Sequence, residues 1–464
     1  MAEIDRRCIE DFGLAGEVLM ETAGRSVAQH LLGICPGQRV AFLCGPGNNG
    51  GDGYVAARAW CDAGGVAEIF ALGESNRDEA RANAERARRW GISIQPCQGP
   101  PPSWSDYAQV VDALFGIGQR RNLEGSVSDW VGSLPRERTL AVDIPSGIHS
   151  DTGQVLGRAV RAHTTITFGL AKLGQLLQPG ATYCGQLLVQ PIGFPEALLQ
   201  TPGHRVQTAL ARQWLPARGP ESHKRNMGKL LLLAGSQRYP GAAILAALGA
   251  LRAGVGLLYV CAPPQVLERL PAEAIPVLPQ DLDTALASVD AVCAGPGLDD
   301  QSHLLESLWK IDLPMVLDAD ALGHLPARLS PKVLLTPHHG ELARLSRLRL
   351  PQIEQDRLQA ALRVARNFHC TVLLKGDPTL VTSPGGTYSV VSEGSAVLAQ
   401  GGSGDVLAGV AGALIAQGLD AWQAGSLAAY LQGRAGQLSG LSVGLGATRL
   451  ADHISMVWSQ LYGS

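Results

Sequence analysis

Charge of one sign, paired cysteines and long apolar runs are all missing from this 464-residue chain, and each absence removes a class of function. Lysine and arginine total 38 against 41 aspartate and glutamate, so there is no basic footprint for nucleic acid. The nine cysteines are scattered, and none stands in a Cys-x-x-Cys pair. That argues against a zinc centre or a disulfide framework and for a reducing, cytoplasmic setting. Residues 1–12 are charged and polar and do not read as a secretory leader. The longest apolar stretch, 241–261, is interrupted by Arg252 and several glycines. It reads as a core helix and strand, not a membrane span. Aromatic residues are few (5%) and charged residues only 17%, but hydrophobic residues reach 46%, enough to fill the cores of two or three domains. The abundant residues are Gly (56) and Pro (28), which punctuate apolar segments and form no low-complexity tract. That pattern predicts an α/β enzyme with many glycine turns. The arginine-rich stretch 77–89 also holds Asp78, Glu79 and Glu85, and reads as a solvated helix face.

In the first half, Ile9, Leu19, Met20, Ala23, Val27 and Leu31 have helical spacing and predict a helical run over 5–33. A strand over 39–44 leads into Gly45-Pro46-Gly47-Asn48-Asn49-Gly50-Gly51-Asp52-Gly53, with a helix expected over 54–63. Strand, glycine loop, helix is the layout of a phosphate or nucleotide site. Gly45-x-Gly47-x-x-Gly50 spells the dinucleotide fingerprint, and Glu68 follows at about the spacing that fingerprint asks. The two asparagines are unusual there. Their carbonyls suit a cation and their amides a ligand; a tight turn with Asn at positive φ is the alternative. Strands over 109–112 and 139–144 place Asp112 and Asp143 at carboxyl ends, where open α/β sheets bind ligands. With Asn49 and Ser146 they offer oxygen ligands for a hard cation. After a strand over 164–168 comes Lys172, a surface lysine or a ligand contact.

These motifs, with Asp112-Ala113-Leu114-Phe115-Gly116-Ile117-Gly118, Val142-Asp143-Ile144-Pro145-Ser146-Gly147 and Leu19-Met20-Glu21-Thr22-Ala23-Gly24, resemble the epimerase domain of NAD(P)H-hydrate repair enzymes over residues 3–195. The resemblance implies a Rossmann-like three-layer αβα domain that interconverts the R and S forms of hydrated NADH or NADPH. It implies a potassium ion near Asn49, Asp112 and Ser146. Asn48, Asn49, Gly50, Gly51 and Asp52 would contact the hydrated nucleotide. So would Asp143 and the run Gly116, Ile117, Gly118, Gln119, Arg120, Arg121 and Asn122. Epimerisation breaks and remakes a bond at the hydrated ring carbon, and Asp143 is the candidate acid/base.

The stretch 195–225 gathers Pro202, Gly203, Pro216, Gly219 and Pro220 and predicts a domain boundary, placed after residue 205. No internal repeat is visible. Beyond it, apolar strands over 229–234, 257–261, 291–294, 315–318, 333–335 and 371–374 alternate with helical segments. They predict a mainly parallel sheet covered on both faces. A helix beginning at Pro240 is rich in small residues (Ala242, Ala246, Gly249, Ala250, Ala253), which reads as close packing. Polar residues cluster after strand ends: Asp318, Asp320, His338, Glu341, Lys375, Asp405. Neither His-Glu-x-x-His nor a P-loop motif occurs. A nucleotide-phosphate reading fits better: Lys375 can pair with phosphate, and Glu341 can organise magnesium through water.

In Gly401-Gly402-Ser403-Gly404-Asp405, glycines without Cβ let backbone N–H groups crowd one point. With a helix N-terminus they make an anion hole. Val406, Leu407, Val410, Leu414 and Ile415 have helical spacing, so Asp405 falls in the first turn of a buried helix, placed to take a proton from a hydroxyl. In isolation the motif reads equally well as a glycine turn with an acidic cap.

Asn226-x-Gly228-Lys229, Ala294-Gly295-Pro296-Gly297, Leu317-Asp318-Ala319-Asp320, Pro337-His338-His339-Gly340-Glu341, Leu374-Lys375-Gly376 and this glycine motif form an ordered series. Over residues 206–455 the series is similar to the ADP-dependent NAD(P)H-hydrate dehydratases, whose fold is ribokinase-like αβα. The whole chain then resembles bacterial bifunctional repair enzymes, with domains at 1–205 and 206–464. The implied reaction phosphorylates the ring hydroxyl from ADP, giving AMP, and then eliminates phosphate to restore the dihydropyridine. By resemblance Asp405 orients or deprotonates the hydroxyl, and Gly401, Gly402, Ser403 and Gly404 steady the phosphoryl group. Lys375, Gly376, Asp377, Pro378 and Thr379 contact the adenine nucleotide, with Gly404. Ala242, Gly297 and His338 lie on the hydrate side with Asp405. Thr336, Ser403 and Arg225 depart from the family pattern, where Asn, Thr and Gly are usual. A homo-oligomer is implied, with no nucleic-acid or membrane partner. The competing readings are a ribokinase-like kinase of a small alcohol, which leaves the Asn-Asn-Gly-Gly-Asp domain unexplained, and a non-catalytic nucleotide-binding scaffold.

Overall fold

Val40, Phe42 and Cys44 point to one face of strand β1 (Arg39–Cys44) and Ala41 and Leu43 to the other, and all five are fully buried. A strand apolar on both faces has to lie between two layers of helices. In the computed structural model, which describes residues 1–463, the chain divides into two units, Met1–Thr201 and a second from Pro202 onward.

In the first unit β1 is followed by β2 (Val66–Ala71), β3 (Ser93–Pro96), β4 (Gln109–Ala113), β5 (Thr139–Val142), β6 (Thr164–Phe168) and β7 (Gln186–Gln190). The order is β3-β2-β1-β4-β5-β6-β7, and all pairs are parallel. The winding reverses between β1 and β4, so a crevice opens at their carboxyl ends. This is the Rossmann-like arrangement. Two expectations change. The helical run over 5–33 is two helices, Ala2–Glu10 and Gly16–Ile34, with Gly13 between them at φ +70°. The asparagine–glycine motif is no loop before a helix at 54; it is itself the opening of the helix Asn48–Asp62. Tertiary packing overrides glycine's poor helix propensity here, since a Cβ on Gly50 would lie 1.9 Å from the Gly45 carbonyl oxygen.

The second unit holds β8 (Gly203–Arg205), β9 (Lys229–Leu233), β10 (Leu257–Cys261), β11 (Ala274–Val277), β12 (Ala291–Ala294), β13 (Met315–Leu317), β14 (Val333–Leu335), β15 (Thr371–Leu374), β16 (Thr379–Thr382) and β17 (Tyr388–Val391). The order is β11-β10-β9-β12-β13-β14-β15-β16-β17-β8. Pairs from β11 to β15 are parallel, whereas β16 runs antiparallel to both of its neighbours. Strand β8, expected on the N-terminal side of the boundary, pairs with β17 and so belongs to this sheet. The helices Pro240–Arg252 and Ser403–Ala416 approach backbone to backbone: a Cβ on Gly409 would sit 1.9 Å from the Ala246 carbonyl oxygen. The small residues of the sequence thus buy the contact that fixes the glycine motif over the sheet. Among the described residues no helix is long and apolar enough to cross a membrane.

Candidate functional sites at the carboxyl ends of the two sheets

In the first unit a cavity of about 560 Å³ lies over the carboxyl ends of the strands. Asn48, Asn49 and Asp52 line it from the helix Asn48–Asp62, and Gly116, Ile117, Gly118 and Gln119 from the loop after β4. Asp143 and Lys172 line it from beyond β5 and β6, and Asp5, Asn76 and Arg77 add further polar groups. Of the other expected contacts, Gly50, Gly51, Arg120, Arg121 and Asn122 do not line it. Gly51 packs against Met20, and Arg120 turns to Ser150 (3.3 Å) and Asp151 (3.4 Å).

Asp112, fully buried, accepts from the Ser146 hydroxyl at 2.7 Å, the Ser146 amide at 2.8 Å and the Leu114 amide at 3.2 Å. Burial pushes its carboxyl up to about 6, against the pull of these bonds. The Ser146 hydroxyl also accepts from the Phe115 amide at 2.9 Å. Beside Gly116, both polar atoms of the Asn49 side chain are buried without a protein partner. An orphaned amide is costly unless something fills its valence. A carbonyl, a carboxylate and a hydroxyl form the donor set of a hard monovalent or divalent cation.

Asp143 falls one residue beyond β5 because its backbone turns to φ +64°, a conformation that a non-glycine residue holds only under tertiary constraint. Its carboxylate accepts from Lys172 Nζ at 2.5 Å and from Thr167 Oγ1 at 3.2 Å. Lys172 is therefore no surface lysine: its side chain is 6% exposed and also donates to Thr167 Oγ1 at 2.7 Å. Burial first, and the Asp143 charge second, raise the carboxyls of Asp5 and Asp52 beside it. Sequence reasoning missed Asp5, which reaches the cavity from a separate helix.

Glu68 stands toward the amino ends of the strands, away from the crevice. It accepts from Arg39 at 2.5 Å, Tyr107 at 2.6 Å and Gln95 at 2.5 Å, near the amino ends of β1 and β4. It cannot serve as a fingerprint carboxylate for a ribose at the crevice.

In the second unit Asp318 lies one residue past β13 and is 2% exposed. Lys375, just after β15, donates to Asp318 Oδ1 at 2.7 Å. Its Nζ would be 3.4 Å from a Cβ on Gly404, so ammonium and carboxylate face the bare first turn of the helix Ser403–Ala416. Asp405, in that turn, is half-buried, and its carboxylate makes no hydrogen bond among the described residues. Burial, and next the Asp318 charge, push its carboxyl up to about 7, with Lys375 pulling the other way. Burial alone would lower Lys375, but Asp318, Glu341 and Asp405 outweigh it and keep the ammonium charged.

The remaining expected residues make the following contacts. Gly402 caps the helix at φ +87°. The Ser403 hydroxyl is taken up by its own turn, donating to the Leu398 and Gln400 carbonyls, both at 3.0 Å. Only its backbone N–H is left for the anion hole. His338 and Glu341 cap one another: His338 Nδ1 accepts from the Gly340 and Glu341 amides, and Glu341 Oε2 from the His338 amide at 2.8 Å. That fixes the His338 tautomer with the proton on Nε2. Ala242 and Gly297 touch, a Cβ on Gly297 falling 2.8 Å from the Ala242 methyl. The Asp320 carboxylate accepts from the Asp299 amide at 3.0 Å. Gly376, Asp377 and Pro378 form the turn between β15 and β16, and Thr379 opens β16. Among the described residues no three His, Cys, Asp or Glu side chains cluster as a metal cage. A magnesium ion here would rest chiefly on nucleotide phosphates, as its preference for water and phosphate allows.

A family model described as NAD(P)H-hydrate dehydratase matches residues 230–457, and one described as YjeF-related protein N-terminus matches 16–174. The bifunctional NAD(P)H-hydrate repair enzyme of Thermofilum pendens is 37% identical over 94% of this chain and 90% of its own length. That of Moorella thermoacetica is 35% identical over the same shares, 94% and 90%. Among solved structures, the ADP/ATP-dependent NAD(P)H-hydrate dehydratase of Bacillus subtilis, co-crystallised with ATP and magnesium, is 32% identical with a TM-score of 0.51. It covers 55% of this chain and 97% of its own.

Proposed function

Because the chain belongs to the family of bifunctional NAD(P)H-hydrate repair enzymes, we propose that its two units divide the two steps of that repair. The first unit epimerises the R and S hydrates of NADH and NADPH. The second dehydrates the S hydrate with consumption of ADP. The observation that carries this reading is Asp405: a carboxylate without a hydrogen-bond donor, raised to about 7, beside glycine amides at a helix N-terminus.

In the second unit Asp405 takes the proton of the ring hydroxyl. The hydroxyl oxygen then attacks the terminal phosphorus of ADP, and the bond to AMP breaks. The amides of residues 401–404 and the Lys375 ammonium hold the phosphoryl charge. Phosphate next leaves with the C–O electron pair and takes up the proton of the neighbouring ring carbon, whose C–H pair becomes the double bond of the restored dihydropyridine. Magnesium would enter on the nucleotide and supply charge neutralisation, with Glu341 reaching it through water. His338, Ala242 and Gly297 border the hydrate, and Lys375, Gly376, Asp377, Pro378 and Thr379 border the nucleotide.

In the first unit Asp143 takes the hydroxyl proton as the bond from the hydrated carbon to the ring nitrogen breaks, its electron pair going to nitrogen, and returns the proton when nitrogen re-adds to the other face of the resulting carbonyl; Lys172 holds the carboxylate in place. Potassium would sit against Asn49, Asp112 and Ser146 and contribute fixed positive charge under the cavity floor; the orphaned Asn49 amide supports this. Asn48, Asp52 and residues 116–119 border the nucleotide. The nine cysteines are all free, which supports a reducing, cytoplasmic setting. A homo-oligomer is part of the same reading, and light scattering tests it.

The deciding experiment adds hydrated NADH and ADP and follows the return of reduced-nicotinamide absorbance. Recovery from both epimers is expected. No recovery from either epimer would end the proposal, and ATP in place of ADP identifies the donor.

A further inference from the structure

The turn between β15 and β16 is held from below by a side chain that no motif includes. Arg357 opens the helix Arg357–Phe368, and although cationic it is 7% exposed. Among the described residues no carboxylate lies in ion-pair contact with it, and burial lowers its pKa against the partial support of the Asp377 charge. Its guanidinium donates instead to the backbone, with Nη1 to the Asp377 carbonyl at 2.8 Å and Nη2 to the Pro378 carbonyl at 2.6 Å. A Cβ on Gly376 would lie 2.5 Å from Nη2, so the turn packs directly against the guanidinium. From the other side, the Lys375 amide donates to the Pro337 carbonyl at 2.9 Å, and Thr379 Oγ1 to the Gly376 carbonyl at 3.1 Å. Burying a guanidinium without an ion pair is expensive, and two carbonyls of one turn are what it receives in exchange. Only a planar fork reaches two adjacent carbonyls at once; an ammonium is a single point.

We infer that Arg357 is a positioning residue for nucleotide binding: it fixes the carbonyls of Asp377 and Pro378, and through them the turn that meets the adenine nucleotide. This rests on the reading of residues 375–379 as the nucleotide contact. Arg357 itself touches neither substrate. Its loss should weaken ADP binding while leaving the Asp405 chemistry intact once ADP is bound.

The test uses the full chain with R357Q and R357K. The expected result is a KM for ADP raised about tenfold or more in R357Q, with kcat within about twofold of wild type. R357K should fall between the two, and epimerisation should be unchanged in both. Hydrogen exchange of the wild type with and without ADP separates the nucleotide contact from the role of Arg357. If ADP binds but protects no amide in residues 376–379, the nucleotide-site reading fails and this inference fails with it. If those amides are protected and folded R357Q or R357K binds ADP like wild type, the inference alone is overturned. A fall in kcat at unchanged KM in the folded variants also overturns it.

Discussion

Lys375 gives its carboxylate hydrogen bond to Asp318, at 2.7 Å, and none to Asp405. The arrangement keeps a cation beside the anion hole without quenching the base next to it. Asp318 does two things at once: it occupies the ammonium, and its own charge helps hold Asp405 up at about 7.

Dehydration should therefore rise with pH through about 7 as Asp405 loses its proton. Asp318→Asn removes the repulsion and frees Lys375 to turn toward Asp405, so the acid limb of the kcat/KM profile should move to lower pH. A profile that stays in place would remove Asp318 from this role.

Asp405→Asn should cost roughly 10² to 10⁴ in dehydration and spare epimerisation. The same change should act on stability with a definite sign. The folded carboxyl, at about 7, holds a proton that the unfolded chain, near 3.8, has already released. Wild-type stability therefore falls as pH rises between those values, and D405N should flatten that fall. Thermal unfolding of both proteins at pH 5 and pH 8 reads it directly (roughly either side of the folded pKa).

Asn49→Leu should separate ion binding from folding. In choline buffer the variant should be at least as stable as wild type, because an apolar side chain replaces an unpartnered amide worth about 1–3 kcal/mol. Potassium should raise the unfolding temperature of wild type only. Equal stabilisation of both proteins would place the ion elsewhere.

Lys172→Met should destabilise by roughly 3–5 kcal/mol, since it strands the Asp143 carboxylate in a buried setting. Adding Asp143→Asn should recover part of that stability without recovering epimerisation. Additive losses in the double variant would show that the two side chains do not work as a pair.

Two glycines of one helix should respond in opposite ways to alanine. At Gly404 the added methyl meets Lys375 Nζ at 3.4 Å, an ordinary contact, so G404A should fold normally but crowd the phosphoryl space and raise the KM for ADP. At Gly409 it meets the Ala246 carbonyl oxygen at 1.9 Å, so G409A should lose about 1–3 kcal/mol through overpacking. Unfolding curves and dehydratase kinetics on both variants check the contrast.

The order of the chemistry was legible in the chain because its signals are local. An apolar run with an aspartate at its end, or glycines opening a helical pattern, needs only neighbouring residues to be read. Strands β1, β6, β10, β12, β14 and β15 fall at their expected limits for that reason. Asp405 likewise lies in the first turn of its helix. What the chain could not declare depends on register and strand order. Glu68 had the right spacing for a ribose ligand, yet its place along β2 aims it at Arg39 and Tyr107. Lys172 read equally well as a surface lysine until Asp143, 29 residues earlier, was brought to it across two strands. Arg357 carries no motif at all, because its partners are backbone carbonyls, which every residue possesses. Sequence alone settled which groups are present and in what succession; folding alone settled which of them share a proton, a charge or a wall, since those pairings act across tens of residues and only through the geometry of the packed sheet.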